Sequence, residues 1–502
     1  MTSEVFFRLK PSALTDKVFA LSVVILLVFT AAHMISLPVV ITYDGLQYVD
    51  LADVLFSSRF PHDWLNIRTP LYPLTLKAAF GLLGMQPLAV IAVSTVAGAV
   101  GALILGLLVR RLLGDIAGAA VLILLTFYPT LTAFEHFALT EAGSYLFLAI
   151  IIALLVWVPT ELKTFWYRAS LLTIAISAAY YWRQNFLPLV VPCAFFHGWS
   201  AAGRLRARIS LGRPAARTAI ISTLLVQVAL IAVGPYGISK FWDKYLARDY
   251  MADYLLKEGM LRQVLLLPTD PVVGEYREAY REAIRESIFD GNFYSGLRED
   301  LMKNLRDKIF AKPLSVSTPE FYWRLIKDDP SRYVSGVGRT FMQFVGLPSC
   351  YKETQRCRRL VLSDTMPGSK ISGRPMEIAA RLKSQFEQKT TTSAVQRILL
   401  GLAPAYDHLL IVSNLMTAAG LLAGLAWRHY RLTVLCGIPF AFTIPLAIIL
   451  ACNDRYVFPA YPVSLANVVL LPVMACGAIR RRGWAGKVRH ALQKHVSTRA
   501  PE

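Results

Sequence analysis

Charged residues are scarce in this chain of 502 residues, at 17%, while hydrophobic residues make up 55%. Soluble domains carry about one quarter charged residues, so the composition excludes an ordinary soluble protein and predicts a membrane protein. Cysteine is also rare, because the chain has six and they form no CxxC pair, which excludes a disulfide-rich scaffold. Acidic residues are outnumbered by basic ones, 33 to 53, which gives a net charge of +20.

The excess of basic residues is explained by their positions in the sequence. They gather in short clusters between apolar runs, as the positive-inside rule requires of cytoplasmic loops, so we expect no nucleic-acid partner. The first apolar run follows Arg8, Lys10 and Lys17 and has no clear cleavage site, which predicts a retained first helix. Lys163 and Arg168 predict a further cytoplasmic loop.

The apolar runs predict an all-α polytopic membrane protein with about ten spans and both termini in the cytoplasm. Leu71 to Gly84 is too short to span, which predicts an interfacial helix in the first external loop. The predicted spans are residues 18–42, 87–109, 116–130, 142–158, two helices flanking 180–185, 218–239, 405–427, 432–451 and 457–478.

This topology predicts four regions. Residues 1–239 form an N-terminal membrane domain that includes a first external loop at 43–86, and residues 240–395 form a large external segment. Residues 396–479 return to the membrane, and residues 480–502 form a basic cytoplasmic tail. A disulfide between Cys350 and Cys357 can persist outside the membrane, and free thiols are an equally open alternative.

Polar residues recur at the predicted outer ends of the helices. Asp44 and Tyr48 follow the first span, and residues 68–73 read Arg-Thr-Pro-Leu-Tyr-Pro. Residues 139–141 read Leu-Thr-Glu, and residues 455–462 contain Arg-Tyr-x-x-Pro-x-x-Pro. Because all four stretches and the turn at residues 181–184 (Tyr-Trp-Arg-Gln) are predicted on one side of the membrane, we expect them to form one site.

In their order and shared side, these stretches resemble the GT-C class of membrane glycosyltransferases. That class uses polyprenyl-phosphate sugars and includes protein O-mannosyltransferases and lipid A aminoarabinose transferases. The resemblance implies a GT-C-like fold and an inverting transfer of a sugar from a polyprenyl phosphate to an acceptor hydroxyl. It covers the first two hundred residues best.

The chemistry of the residues agrees with this resemblance. A hydroxyl acceptor needs a carboxylate to take its proton, and Asp44 is the candidate, with helix capping as the alternative role. The departing phosphate needs only cations, and arginine offers a bidentate fork. The candidates for donor phosphate binding are Arg68, Arg183 and Arg455 together with Tyr456, and contact with lipid headgroups is the alternative for the arginines.

Other polar and aromatic residues have less definite roles. The resemblance implies that Glu141 orients the acceptor or binds a metal, while N-capping of its helix is the alternative. Tyr48 and Tyr72 are candidates for stacking on sugar, although aromatic residues also form membrane belts. Glu135 and His136 show no fixed zinc spacing and predict a solvated loop instead. The metal is therefore unknown, and a divalent ion is compatible with the sequence but not required by it.

The sequence thus predicts a glycosyltransferase of a bacterial inner membrane. Because it contains no P-loop and no GxGxxG after a strand, we expect the sugar donor to be carried in the lipid and not by a nucleotide. The acceptor is a glycan, a lipid or a protein. The alternatives are a glycolipid transporter or flippase, and a glycan ligase that uses a pyrophosphate-lipid donor.

Overall fold

A computed structural model describes most of the membrane part of the chain. The described residues are 13–40, 43–56, 69–159, 161–211, 214–245, 320, 323–324, 326–327, 330–346, 353–362, 393–449, 455 and 457–475. Within them the protein is helical, and the one β-bridge joins Val40 to Phe137. The helices are α1 (Ala13–Ser36), α2 (Tyr43–Val54), α3 (Leu71–Leu83), α4 (Pro87–Leu113), α5 (Asp115–Thr126), α6 (Pro129–Glu135), α7 (Glu141–Val156), α8 (Leu162–Trp182), α9 (Val190–Leu211), α10 (Pro214–Tyr245), α11 (Pro330–Phe344), α12 (Glu353–Leu362), α13 (Ala394–Ala426), α14 (Tyr430–Ile449) and α15 (Phe458–Ala475).

Seven of the described helical segments are long and apolar enough to cross a membrane. The pair α5 and α6, bent by 59°, makes an eighth if it is one span. The other two predicted spans are present as α7 and α8. Helix α7 has only 16 residues, and α8 is made more polar by Lys163 and Arg168. The all-helical, multi-span fold class is therefore confirmed, with seven or eight clear spans in the described residues where about ten were predicted.

Two predicted boundaries are wrong for local physical reasons. The span predicted at 405–427 begins at Ala394, because Ser393 and Gln396 form a reciprocal capping box and the helix accommodates Pro404. The span predicted at 116–130 ends at Thr126 and restarts at Pro129, because proline favours the first turn of a new helix. The chain therefore bends before it reaches Glu135.

Helix α4 lies at the centre of the N-terminal bundle, where it packs against α1, α3, α5, α6 and α7. Small residues allow this close approach, as is typical of membrane helices. A Cβ atom on Gly101 would lie 2.7 Å from the ring of Tyr145 on α7. One end of the bundle is tied by Arg110, which pairs with Asp16 at 2.7 Å and with Asp115 at 2.5 Å.

Arg168 is not in a loop, as its basic character predicted, but is fully buried in α8. Its Nη1 donates to the Trp157 carbonyl at 3.0 Å and its Nε donates to Nδ1 of His197 at 3.2 Å. His197 in turn lies 3.1 Å from Oε1 of Gln227. These hydrogen bonds replace water around the guanidinium and join α8, α9 and α10 at the end of the bundle opposite to α2.

The described helices of the predicted external segment dock on the membrane helices. Arg358 of α12 makes two hydrogen bonds of 2.7 Å to the carboxylate of Asp407 on α13. Val361 and Leu362 are fully buried, and α12 also packs against α6. Helix α11 packs against α14.

Candidate functional site

Four charged side chains from separate parts of the sequence meet beside α2. Arg455 Nη1 lies 3.0 Å from Asp44 Oδ2, and Arg455 Nε donates to Glu141 Oε1. Arg183 Nη1 approaches the same Glu141 oxygen at 3.1 Å. Glu141 thus joins Arg183 to Arg455, and Arg455 joins Asp44 to them.

The four side chains differ in their exposure to solvent. The Glu141 side chain is 0% exposed, Arg183 is 7% and Arg455 is 11%, whereas Asp44 is 32% exposed. The buried part of the site is therefore Glu141 with two guanidinium groups. Asp44 is the most exposed of the four side chains.

Helix α2 holds Asp44 in its first turn, where the helix dipole favours a carboxylate. The chain before α2 is fixed by a hydrogen bond of 2.9 Å from the Val40 amide to the His136 carbonyl. The other end of α2 is capped by Lys77, whose Nζ donates to the carbonyls of Ala52, Asp53 and Leu55 at 3.4, 3.2 and 2.6 Å. Both ends of α2 are therefore anchored to neighbouring helices.

Glu141 begins α7 and so also lies in the favourable field of a helix N-terminus. Its Oε1 atom accepts from Arg455 and pairs with Arg183. Its Oε2 atom is buried and has no hydrogen-bond partner among the described residues. A role for Glu141 in orienting the acceptor stays a prediction.

Trp182 fixes the position of Arg183, the residue that follows α8. Its indole Nε1 donates to the Thr140 carbonyl at 2.8 Å, and its own carbonyl accepts from Thr69 Oγ1 at 2.7 Å. The ring lies against Gly143 so closely that a Cβ atom there would overlap it. The sequence predicted Arg183 as a site residue, but not this contact between α7 and α8.

Tyr48 and Tyr72 lie inside the protein and not on the surface of the site. Tyr72 is fully buried and Tyr48 is 6% exposed. Their rings meet edge to face at 5.0 Å, and Tyr72 also packs on Trp182 at 5.0 Å. The rings therefore present no face to a sugar in this structure, and they support α2 and α3 instead.

Some predicted residues lie outside the part of the chain that the structure describes. They are Arg68, Tyr456, Cys350 and the side chain of Cys357. The predictions for phosphate binding by Arg68 and Tyr456, and for the disulfide, therefore stay predictions.

A second cluster of polar side chains joins α1 to the end of α6. His33 of α1 contacts His136 Nε2 through its Nδ1 at 3.0 Å and Glu135 Oε2 through its Nε2 at 3.1 Å. All three residues are at most 5% exposed, so the prediction of a solvated loop at Glu135 and His136 is wrong. The signal that could have found His33 was a histidine near the end of the apolar run that begins at residue 18.

The sequence does not determine whether the protein binds a metal ion. Among the described residues, no group of three or more His, Cys, Asp and Glu side chains is arranged to hold a metal ion. The negative charge of Glu141 is instead balanced by Arg183 and Arg455.

Asp50 is a further carboxylate on α2, and it lies on a different side of the helix from Asp44. It is 7% exposed, and neither of its oxygens has a hydrogen-bond partner among the described residues. Burial, together with the nearby carboxylate of Asp53, raises the pKa of Asp50 from 3.8 to about 6. Asp50 is therefore half protonated near pH 6.

Two crystal structures of ArnT from Cupriavidus metallidurans align with this chain. The structure bound to undecaprenyl phosphate is 13% identical, with a TM-score of 0.36 over 91% of this chain and 78% of that chain. The structure in the apo state is 14% identical, with a TM-score of 0.35 over the same shares. No protein-family model and no curated protein matches the sequence.

Proposed function

We propose that this protein is an integral membrane glycosyltransferase that moves a sugar from a polyprenyl-phosphate donor to an acceptor hydroxyl. The observation that carries this proposal is the convergence of Asp44, Glu141, Arg183 and Arg455 at one end of a helical membrane bundle. Such a site combines a reachable carboxylate with two guanidinium groups, which is what transfer from a phosphate requires.

Asp44 is the general base in this proposal. It is the most exposed of the four side chains, whereas Glu141 is fully buried between two arginines. Taking the proton of the acceptor hydroxyl as the new bond forms makes the oxygen a better nucleophile, and such a contribution is worth about 10²- to 10⁴-fold in rate. Inversion at the anomeric carbon follows from the resemblance to the GT-C class.

Arg183 and Arg455 would stabilise the phosphate that leaves. The phosphate departs as an anion without an acid catalyst, and fixed guanidinium groups lower the energy of its developing charge. Glu141 positions both groups by accepting from Arg455 and pairing with Arg183. In the proposed topology the site faces the exterior of the cell and both termini are cytoplasmic, so the donor reaches the site within the outer leaflet.

The first test replaces the proposed base. Asp44→Asn keeps the shape of the side chain and removes its ability to take a proton, so we expect transfer to fall by about 10²- to 10⁴-fold. The measurement is the release of polyprenyl phosphate from a radiolabelled polyprenyl-phosphate sugar by the purified protein. Asp53→Asn, an exposed carboxylate on the same helix, is the matched control and should retain activity.

The same assay separates the proposal from its rivals. A flippase moves the lipid without releasing polyprenyl phosphate. A ligase that uses a pyrophosphate-lipid donor releases polyprenyl pyrophosphate from that donor. Undiminished transfer by a folded Asp44→Asn protein would remove Asp44 from the role of base. Translocation without release in the parent protein would contradict the enzyme as a whole.

A further inference from the structure

Arg455 is shared between a buried carboxylate and an exposed one. Its Nε contacts Glu141, which is fully buried, and its Nη1 contacts Asp44 at 3.0 Å, whose side chain is 32% exposed. In the proposed function Asp44 is the base and Arg455 binds the donor phosphate. In this structure Asp44 therefore occupies Nη1 of Arg455, one of the guanidinium nitrogens that would bind the donor phosphate.

We propose that the donor phosphate displaces Asp44 from Arg455 and thereby releases the carboxylate to act on the acceptor. This inference rests on the proposed function and adds an order of events to it. Before the donor arrives, Asp44 is held by the guanidinium, and the base becomes available only when a phosphate has taken its place.

The two ion pairs of Arg455 differ in how easily they exchange. A pair with a partly exposed carboxylate is weak, because water solvates the carboxylate when it leaves. Breaking a buried pair is costly, because one charge would be left without a partner in a medium of low dielectric constant. Asp44 is therefore the partner that exchanges, and Glu141 is the partner that stays and keeps Arg455 in position.

The charge of the site points to the same exchange. Asp44 and Glu141 balance Arg183 and Arg455, so the four side chains together are neutral in their ionised forms. A phosphodiester brings one negative charge, so the two described guanidinium groups would then face three anionic groups. Displacing Asp44 leaves the phosphate and Glu141 to balance the two guanidinium groups, and a phosphate oxygen makes a strong charge-assisted bond.

In the transfer step, the acceptor oxygen forms its bond to the anomeric carbon while its proton passes to Asp44. The bond from that carbon to the phosphate oxygen breaks, and its electron pair leaves with the polyprenyl phosphate. When this product departs, Asp44 gives its proton to water and returns to Arg455.

The exchange predicts that removing the base tightens binding of the phosphate lipid. We would titrate a long-chain polyprenyl phosphate into the full-length protein in lipid nanodiscs and compare Asp44→Asn with Asp53→Asn. Asp44→Asn should bind about two- to tenfold more tightly than the parent, because it no longer competes for Arg455. Asp53→Asn should bind like the parent, and neutral polyprenol should bind all three proteins equally.

Arg455→Gln supplies the double-mutant cycle. In that background Asp44→Asn should change binding by less than about twofold, because the contested guanidinium is gone. Asp44→Ser is a second variant with the same expected gain, and size-exclusion chromatography and far-UV circular dichroism report whether each protein is folded. If both Asp44 variants fail to fold, the ion pair is structural and the exchange is excluded.

The remaining outcomes separate this inference from the proposed function. Equal or weaker binding of polyprenyl phosphate by an inactive Asp44→Asn protein overturns the exchange and leaves Asp44 as the base. Binding that does not depend on the phosphate in any of the proteins overturns both the exchange and the polyprenyl-phosphate donor.

Discussion

At the scale of single residues, the site depends on which charges face each other. Arg455 was predicted from sequence as a phosphate ligand, and in the structure its guanidinium contacts Glu141 and Asp44. The sequence suggested the chemical type of each residue and its end of the membrane. It could not show the pairing, because residues 44, 141 and 455 lie on three separate segments that meet only in the folded protein.

Asp50 supplies a prediction about pH at this scale. Between pH about 4 and about 6 the folded protein holds a proton that the unfolded chain has lost, so stability falls as the pH rises. Above pH 6 the ionised carboxylate, which accepts no hydrogen bond from the described residues, destabilises the fold. Asp50→Asn should therefore match the parent near pH 4 and exceed its stability by about 1 to 2 kcal/mol at pH 7.5.

Thermal unfolding in detergent at these two pH values measures the difference. Asp53→Asn removes the neighbouring carboxylate, so it should lower the pKa of Asp50 and weaken this pH dependence without abolishing it. A constant difference between Asp50→Asn and the parent across this pH range would show that Asp50 does not titrate as described.

At the scale of helices, the position of Arg183 depends on the contact between α7 and α8. Trp182 bonds to Thr140 and Thr69 and lies on Gly143, so the residue that follows it can point only in a narrow range of directions. The packing of Trp182 on Gly143 could not be predicted from sequence, because a glycine at a helix contact has no pattern of its own.

Gly143→Ala tests this contact. The added methyl group overlaps the Trp182 ring, which must move and take Arg183 away from Glu141. We expect a loss of about 1 to 3 kcal/mol in stability and a fall in transfer activity of at least tenfold. Thermal unfolding and the release of polyprenyl phosphate measure the two effects.

Gly81→Ala is the matched control, because it is a helix glycine with no heavy atom within 4 Å of the added carbon. It should be neutral or stabilise the protein by up to about 1 kcal/mol. Full activity in Gly143→Ala would show that the position of Trp182 does not control the site.

At the scale of the whole molecule, apolar runs and basic clusters predicted the fold class well. Each predicted span corresponds to a described helix, because hydrophobicity over about twenty residues reports directly on burial in lipid. The burial of charged residues was the main feature that could not be predicted from the sequence. Arg168 was read as the flank of a loop, since the rule that assigns loops from basic residues cannot distinguish a solvated arginine from one that is enclosed by His197 and the Trp157 carbonyl.

The proposed orientation of the molecule is testable with cysteine labelling. Asp53 lies at the site end of the bundle and Trp427 at the other, and both are exposed. A membrane-impermeant maleimide added to intact cells should label Asp53→Cys, and should label Trp427→Cys only after the cells are permeabilised. The parent protein measures the background, and the reverse pattern would place the site in the cytoplasm.

Helix α13 has a length that the bilayer alone does not require. Its 33 residues extend about 50 Å, against a hydrocarbon layer of about 30 Å. Arg358 of α12 binds Asp407 on this helix, and α12 also packs against α6. Adding one turn to α13 on the C-terminal side of Asp407 would move this carboxylate about 5.4 Å along the helix axis, so α12 could no longer contact both Asp407 and α6.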